Sequence, residues 1–162
     1  MKSMRALKLI QLMKTNSAIM SDELVRKIRA SGKCEQLLLK VPESEQRQYA
    51  SQIYQALTEW LADETDSILE HHYVELGVRR AGQGVPPSQM SWAVTIAREH
   101  LWDYAQQECF HEEPVEFLGG VTLLRSLNSF FDQILYFALT GYEKASGDES
   151  AAFSFLSSRR SA

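Results

Sequence analysis

The chain has 162 residues, 44% of them hydrophobic and 23% charged, with a net charge of −4. That length points to one domain able to bury roughly two-thirds of its unfolded surface, and the composition excludes disordered, collagen-like and turn-dense all-β chains. The two cysteines, Cys34 and Cys109, have no CxxC or finger spacing, which excludes a zinc ribbon or a thioredoxin-type site and fits two reduced thiols in a cytoplasmic protein.

The pattern is helical nearly throughout, and an all-α chain of about six helices is expected. In residues 4–14, Met4, Leu7, Ile10 and Met13 recur every third position, a short amphipathic helix. Lys8 and Lys14 interrupt its apolar run, so it is neither a signal peptide nor a membrane span. Ser21 reads as the N-cap of a second helix. Asp22 and Glu23 follow in its first turn, Lys27 and Arg29 fall in its last, and Gly32 stands beyond. Residues 35–41, with Leu37-Leu38-Leu39, suit either a helix end or a short extended run.

Pro42 opens the next helix with Glu43 and Glu45 in its first turn. Its apolar stripe is Tyr49, Ile53, Leu57 and Trp60, flanked by Ala56 and Leu61. The polar run 63–67 breaks the chain. A fourth helix then places Leu69, Tyr73, Leu76 and Arg80 on one face and stops at Gly82-Gln83-Gly84-Val85-Pro86-Pro87. The fifth helix, about 88–110, has two apolar stripes. Met90, Val94, Ala97, Leu101 and Tyr104 form one and Trp92, Ile96 and Trp102 the other, the pattern of a helix sandwiched between neighbours. The last helix starts at Pro114 and runs to about Ala145. Its apolar band, with Leu124, Leu127, Phe131, Ile134, Leu135, Ala138 and Tyr142, is too wide for one partner helix. Domain boundaries follow: 1–145 is a single helical domain and 146–162 a flexible Ser-rich tail.

Charge is unevenly placed. Residues 1–40 carry a net +6 and residues 41–162 a net −10. The basic residues are scattered, without aromatic interleaving, so a basic face packed beside an acidic body is favoured over a nucleic-acid or membrane-binding arm. There is no GxSxG, P-loop, GxGxxG or HExxH motif. A bundle metal site would draw on His71, Glu75, Glu108 and His111, which supply only one Glu-x-x-His pair where two are needed. A haem would take His100 as its first axial ligand and His72 as its second choice. Such a sensor pocket would lie among Tyr73, Trp92, His100, Trp102 and Phe131.

The informative stretch is 72–104. Tyr73, Leu76, Gly77, Arg80, Gly82, Gln83 and Gly84 are followed by the paired prolines, and Arg98 and Trp102 lie on the helix beyond. Gly77 lets another backbone approach, and Gly82 and Gly84 permit a tight reversal; Gly82→Val would be costly if Gly82 has a positive φ. Arg79, Arg80 and Arg98 are placed to meet Glu75 or Asp132 in an inter-helix polar network. This turn, with the long following helix and Gly141-Tyr142-Glu143, resembles the N-terminal regulatory domain of the RsbR/RsbRD type, the RsbT co-antagonist proteins of bacterial stress signalling, over about residues 66–145.

The resemblance implies an all-α, globin-like or antiparallel-bundle fold. It further implies a non-enzymatic, usually dimeric sensory or docking domain without haem, working through a protein partner in the cytoplasm. Members commonly continue into a STAS domain. None fits here after residue 145, so the chain is expected to act by binding or competing for a partner on its own. The breadth of the last two helices is the motive for a homodimer. Arg80, Gly82 and Arg98 are the first residues to mutate for regulation.

Overall fold

The computed structural model describes residues 4–63, 66–109 and 117–160; the side chains of residues 63, 108, 109, 117–119 and 148–160 fall outside that description. The described residues form an all-α bundle of six helices without strands: α1 (Met4–Ala30), α2 (Glu35–Lys40), α3 (Glu43–Asp63), α4 (Asp66–Gly82), α5 (Pro87–Cys109) and α6 (Phe117–Arg160).

α1 is two helical stretches joined across a kink at Asn16, whose backbone is non-helical (φ −114°, ψ 17°) and whose side-chain amide donates to the Leu12 carbonyl at 3.1 Å. Two helices are present as expected, but the second begins just after Asn16 rather than at Ser21. Ser21 is therefore not an N-cap. It is buried, and its hydroxyl donates to the Ser17 carbonyl one turn back at 2.6 Å, the alternative a serine has inside a helix. The ambiguous segment after Lys33 resolves as the short helix α2. α6 continues to Arg160, past the expected end near Ala145.

The core is built by α1, α3, α4, α5 and α6. Leu9, Met20, Tyr54, Leu57, Leu101, Leu127, Phe130 and Ile134 lie at its centre, each 0–1% exposed. Tyr54 and Phe130 were not on the expected stripes; each neighbours a predicted position and widens the buried face by one residue. The second stripe of α5 differs from expectation. Trp92 is 37% exposed and lies beneath the Lys33 ammonium, 4.1 Å from its ring centre, while Ile96 and Trp102 are only half-buried. α5 does pack between neighbours, α1 and α6, but its second stripe is only partly covered.

A second cluster of Cys34, Leu37, Val41, Val85, Met90 and Ala138 seats α2 against the α4–α5 turn and α6. Burial raises the Cys34 thiol pKa, with a hydrogen bond involving Ser31 opposing it, so this sulfur is a packing group rather than a nucleophile. No side chain at Cys34 caps α2; Gln89 of α5 does so from across the fold. Its Oε1 accepts the backbone N–H groups of Gln36 (2.8 Å) and Leu37 (3.0 Å).

α4 and α6 make the closest helix pair. A Cβ on Gly77 would overlap the Ala138 carbonyl, and one on Gly141 the Val74 carbonyl. The basic first helix faces acidic groups of the body, with Lys27–Asp103 at 3.5 Å and Arg29–Glu43 at 3.1 Å. These pairs are exposed and screened by solvent, so they add little to stability. They explain how the uneven charge is accommodated rather than what stabilises the fold. No helix among the described residues is long and apolar enough to cross a membrane.

Candidate functional site

The end of α4 is the best-determined local motif. The Val85 N–H donates to the Arg80 carbonyl (3.1 Å) and the Gly84 N–H to the Ala81 carbonyl (3.0 Å). This is a Schellman ending with Gly84 in the left-handed position at φ 73°. Gly84 therefore carries the positive φ of this turn, and the condition considered for Gly82 is not met. Gly82 is the last residue of α4, and a Cβ there would meet nothing within 4 Å. The turn is pinned twice: the Tyr142 hydroxyl of α6 donates to the Val85 carbonyl (2.6 Å) and Lys40 Nζ to the Gly84 carbonyl (2.9 Å).

This ending orients Arg79, Arg80 and Gln83 toward the start of α3, where Glu45 collects all three. Arg79 Nη2 lies 2.9 Å from its carboxylate, Arg80 Nη1 2.7 Å, and Gln83 Nε2 3.3 Å from each oxygen. Arg80 also donates to Gln83 Oε1 (2.7 Å), and its guanidinium lies 4.6 Å from the Tyr49 ring centre. The Arg79 hydrogen bond is the largest influence on Glu45. With Arg80 and Gln83 it outweighs burial and brings the carboxyl down to about 2. Glu45 and Arg80 are both buried, so each offsets a charge that would be costly alone.

The predicted network is thus half right. Arg98 reaches Asp132 at 3.6 Å, but the Arg79–Arg80 pair turns to Glu45, and Glu75 instead pairs with exposed His71 on its own helix at 3.4 Å. The sequence placed Glu45 only in the first turn of the helix opened by Pro42. A contact 35 residues away leaves no periodic signal; the only hint was a second acid in a first turn already supplied with one.

Beneath this cluster, between α1, α3, α4 and α5, lies a cavity of about 90 Å³ lined by Tyr73, Leu76 and Arg80 of α4 together with Gln46, Tyr49, Met90 and Ala97. Most of the remaining lining is aliphatic, from Leu24 and Val25 to Val94. Of the pocket expected among Tyr73, Trp92, His100, Trp102 and Phe131, only Tyr73 lines this space. Phe131 is core, Trp102 half-buried and Trp92 exposed. His100, 2% exposed, packs between Tyr54 and Tyr104 with ring centres 6.2 and 6.1 Å away, and its Nε2 lies 3.5 Å from Glu23. His72 is half-buried at a surface recess shared with Gln52 and Trp60. The structure does not bring these two histidines to one site. Among the described residues no three His, Cys, Asp or Glu side chains cluster as metal ligands; His111 and the Glu108 side chain lie outside the description.

The singled-out motif thus divides by role. Tyr73, Leu76 and Arg80 face the cavity, Gly77 admits α6, Gly84 makes the turn, and Arg98 ties α5 to α6. Comparison with protein families matches residues 19–152 to the RsbT co-antagonist protein rsbRD N-terminal domain. The chain belongs to this family. The match spans α2 to α5 entirely, begins after the Asn16 kink and extends into α6 beyond Ala145. The rsbRD N-terminal domain is a regulatory domain of stress signalling, and this chain is one of them. No curated protein and no solved structure matches it.

Proposed function

We propose that this rsbRD-type domain is a non-enzymatic, cytoplasmic regulatory module that acts by protein–protein contact, as a homodimer and without haem. The observation that carries the reading is the family match over residues 19–152. The family's description, RsbT co-antagonist, suggests that the partner is a signalling protein of the kind such domains act against.

The geometry is in keeping with this. The buried charges Glu45 and Arg80 neutralise each other instead of facing a reaction cleft, and His100 packs away from the cavity. The closely packed α4–α6 pair exposes apolar side chains outward: Ile68 is 71% and Val78 43% exposed on α4, and Tyr136 66% exposed on α6. Exposed aliphatic and aromatic groups on rigid helices suit a self-complementary dimer face.

Mass by light scattering at tens of micromolar tests it. The expected result is a dimer that becomes a folded monomer when Ile68 and Tyr136 are both replaced by Glu. A monomeric unmodified chain removes the dimer. Regulation by contact then stands or falls on whether the Ile68→Glu, Tyr136→Glu protein still engages its signalling partner.

A further inference from the structure

We propose that the cavity under Arg80 is a binding site for a small neutral hydroxyl compound, a short-chain alcohol in size and chemistry. The first observation is a pair of buried polar atoms without partners in its lining. Among the described residues the Tyr73 hydroxyl has no hydrogen-bond partner, and Tyr73 is only 3% exposed. Gln46 Oε1 is likewise buried and unpaired, because the amide is oriented by its other end. Gln46 Nε2 donates to the Val41 carbonyl at 2.8 Å and to the Leu38 carbonyl at 3.3 Å. Buried polar atoms are rarely left unsatisfied in native proteins, and both residues line this cavity, Tyr73 also bordering the neighbouring surface recess.

Three features narrow the chemistry. The cavity is about 90 Å³, room for a ligand of only a few heavy atoms. Its body is aliphatic, with Leu24, Val25, Ala93 and Ala97 among the walls. Its charge is already balanced: Arg80 is held by Glu45 at 2.7 Å, so an anion would meet the Glu45 carboxylate and a cation the arginines. A neutral ligand must therefore offer Tyr73 an acceptor and Gln46 a donor. The smallest group that does both is a hydroxyl, its oxygen accepting from Tyr73 and its proton going to Gln46, with a few carbons against the aliphatic wall.

Arg80 connects this site to the surface. It lines the cavity and is joined through Glu45 to exposed Arg79 and to the turn held by Tyr142 of α6. Occupancy would bear on the packing of α3, α4 and α5 at one point. The inference goes beyond the regulatory reading and does not require a dimer: loss of dimerisation leaves the binding result unchanged, and loss of binding leaves the dimer result unchanged.

The test is a titration of the full chain, methyl-labelled at alanine, with 1-butanol, and with 1-chlorobutane as the partner lacking a hydroxyl. The expected result is saturable shifts of the Ala93 and Ala97 methyls with a Kd on the order of 0.1–1 mM, as befits so few atoms. Chlorobutane should bind about tenfold more weakly, and Tyr73→Phe should bring butanol to the same level. Tyr73→Phe should leave folding intact, since the hydroxyl it removes is unpartnered. Ala97→Val, which narrows the cavity, should weaken both probes. Non-saturating shifts, equal affinity for the two probes, unchanged binding in Tyr73→Phe, or shifts confined to Ala56 in the neighbouring surface recess would each overturn the site. So would water alone occupying it.

Discussion

Gly77 of α4 and Gly141 of α6 stand against each other's helices so closely that a methyl group on either would occupy the position of a backbone carbonyl oxygen on the opposite helix. Two positions without side chains set the distance between the helices. Gly82, five residues along the same helix, has open space where its Cβ would be. The two glycines therefore respond oppositely to alanine. Gly77→Ala is expected to cost about 3 kcal/mol, since neither backbone can yield without repacking. Gly82→Ala should be neutral or gain up to about 1 kcal/mol from reduced chain entropy. Thermal melts separate them, at about 2–4 °C per kcal/mol for a chain of this size. Equal melting temperatures would refute the close approach.

Glu45 predicts a defined acid sensitivity. Its carboxyl falls from an ordinary 4.5 to about 2 in the folded chain, chiefly through Arg79, which corresponds to about 3 kcal/mol of stability at about 1.4 kcal/mol per pH unit. A depressed carboxyl contributes fully above its unfolded value and loses that contribution as pH falls through the folded one. Glu45→Gln leaves Arg80 buried without its counter-charge and should destabilise by about 3 kcal/mol at pH 7. The gap between variant and parent should close between about pH 4.5 and pH 2. Denaturant melts across that range check it, and a gap independent of pH would show that the carboxylate is not held by the arginines.

The number and order of helices, the stop after Gly82 and the face of α4 that turns inward were legible because each is a local signal: periodicity, a glycine turn, a proline at a helix start. The mixed outcome at Ser21 and Gly82 shows the limit of such signals. Ser21 carries every mark of an N-cap, yet the helix runs through it because the chain before it is also helix-forming and its hydroxyl finds Ser17. Gly82 and Gly84 are alike in sequence, and only the hydrogen-bond register decides which takes the left-handed φ. The candidate site was legible in part. The sequence singled out Tyr73, Leu76 and Arg80, which line the cavity, and Gly77, which meets α6, but it did not single out Glu45, Gln46 or Gln89. Glu45 meets Arg80 35 positions away and Gln89 meets Gln36 53 positions away, and nothing in a one-dimensional pattern marks a polar residue for such a partner; Gln46 holds the Val41 and Leu38 carbonyls across the break between α2 and α3.

Gln89 is the case with the most direct consequence. Its carbonyl takes the place of the missing cap on α2, accepting two N–H groups that would otherwise be unpaired. Gln89→Ala should cost about 1–2 kcal/mol, the worth of a lost helix cap. The loss should be local, with faster amide hydrogen exchange at Gln36 and Leu37 and little change in α5 itself. Unchanged exchange at those two amides would show that α2 is held by its apolar contacts alone.

His100 gives the chain a second pH response at milder acidity. Burial is the main reason its pKa lies below the ordinary imidazole value, reinforced by Lys27 and opposed by Glu23, the Met20 backbone and Asp103. A histidine kept neutral by folding must be protonated in the unfolded chain first. The folded state is therefore fully favoured above the unfolded value of about 6.5 and loses stability as pH drops below it. Replacing the ring with one that cannot titrate, His100→Phe, should remove this dependence while preserving the aromatic contacts with Tyr54 and Tyr104. The parent chain should melt at a lower temperature at pH 5.5 than at pH 7.5, and the variant should show a smaller difference. NMR titration of the His100 ring gives an independent reading. A midpoint above the ordinary imidazole value of about 6.5 would mean that Glu23 and Asp103, rather than burial, govern the site.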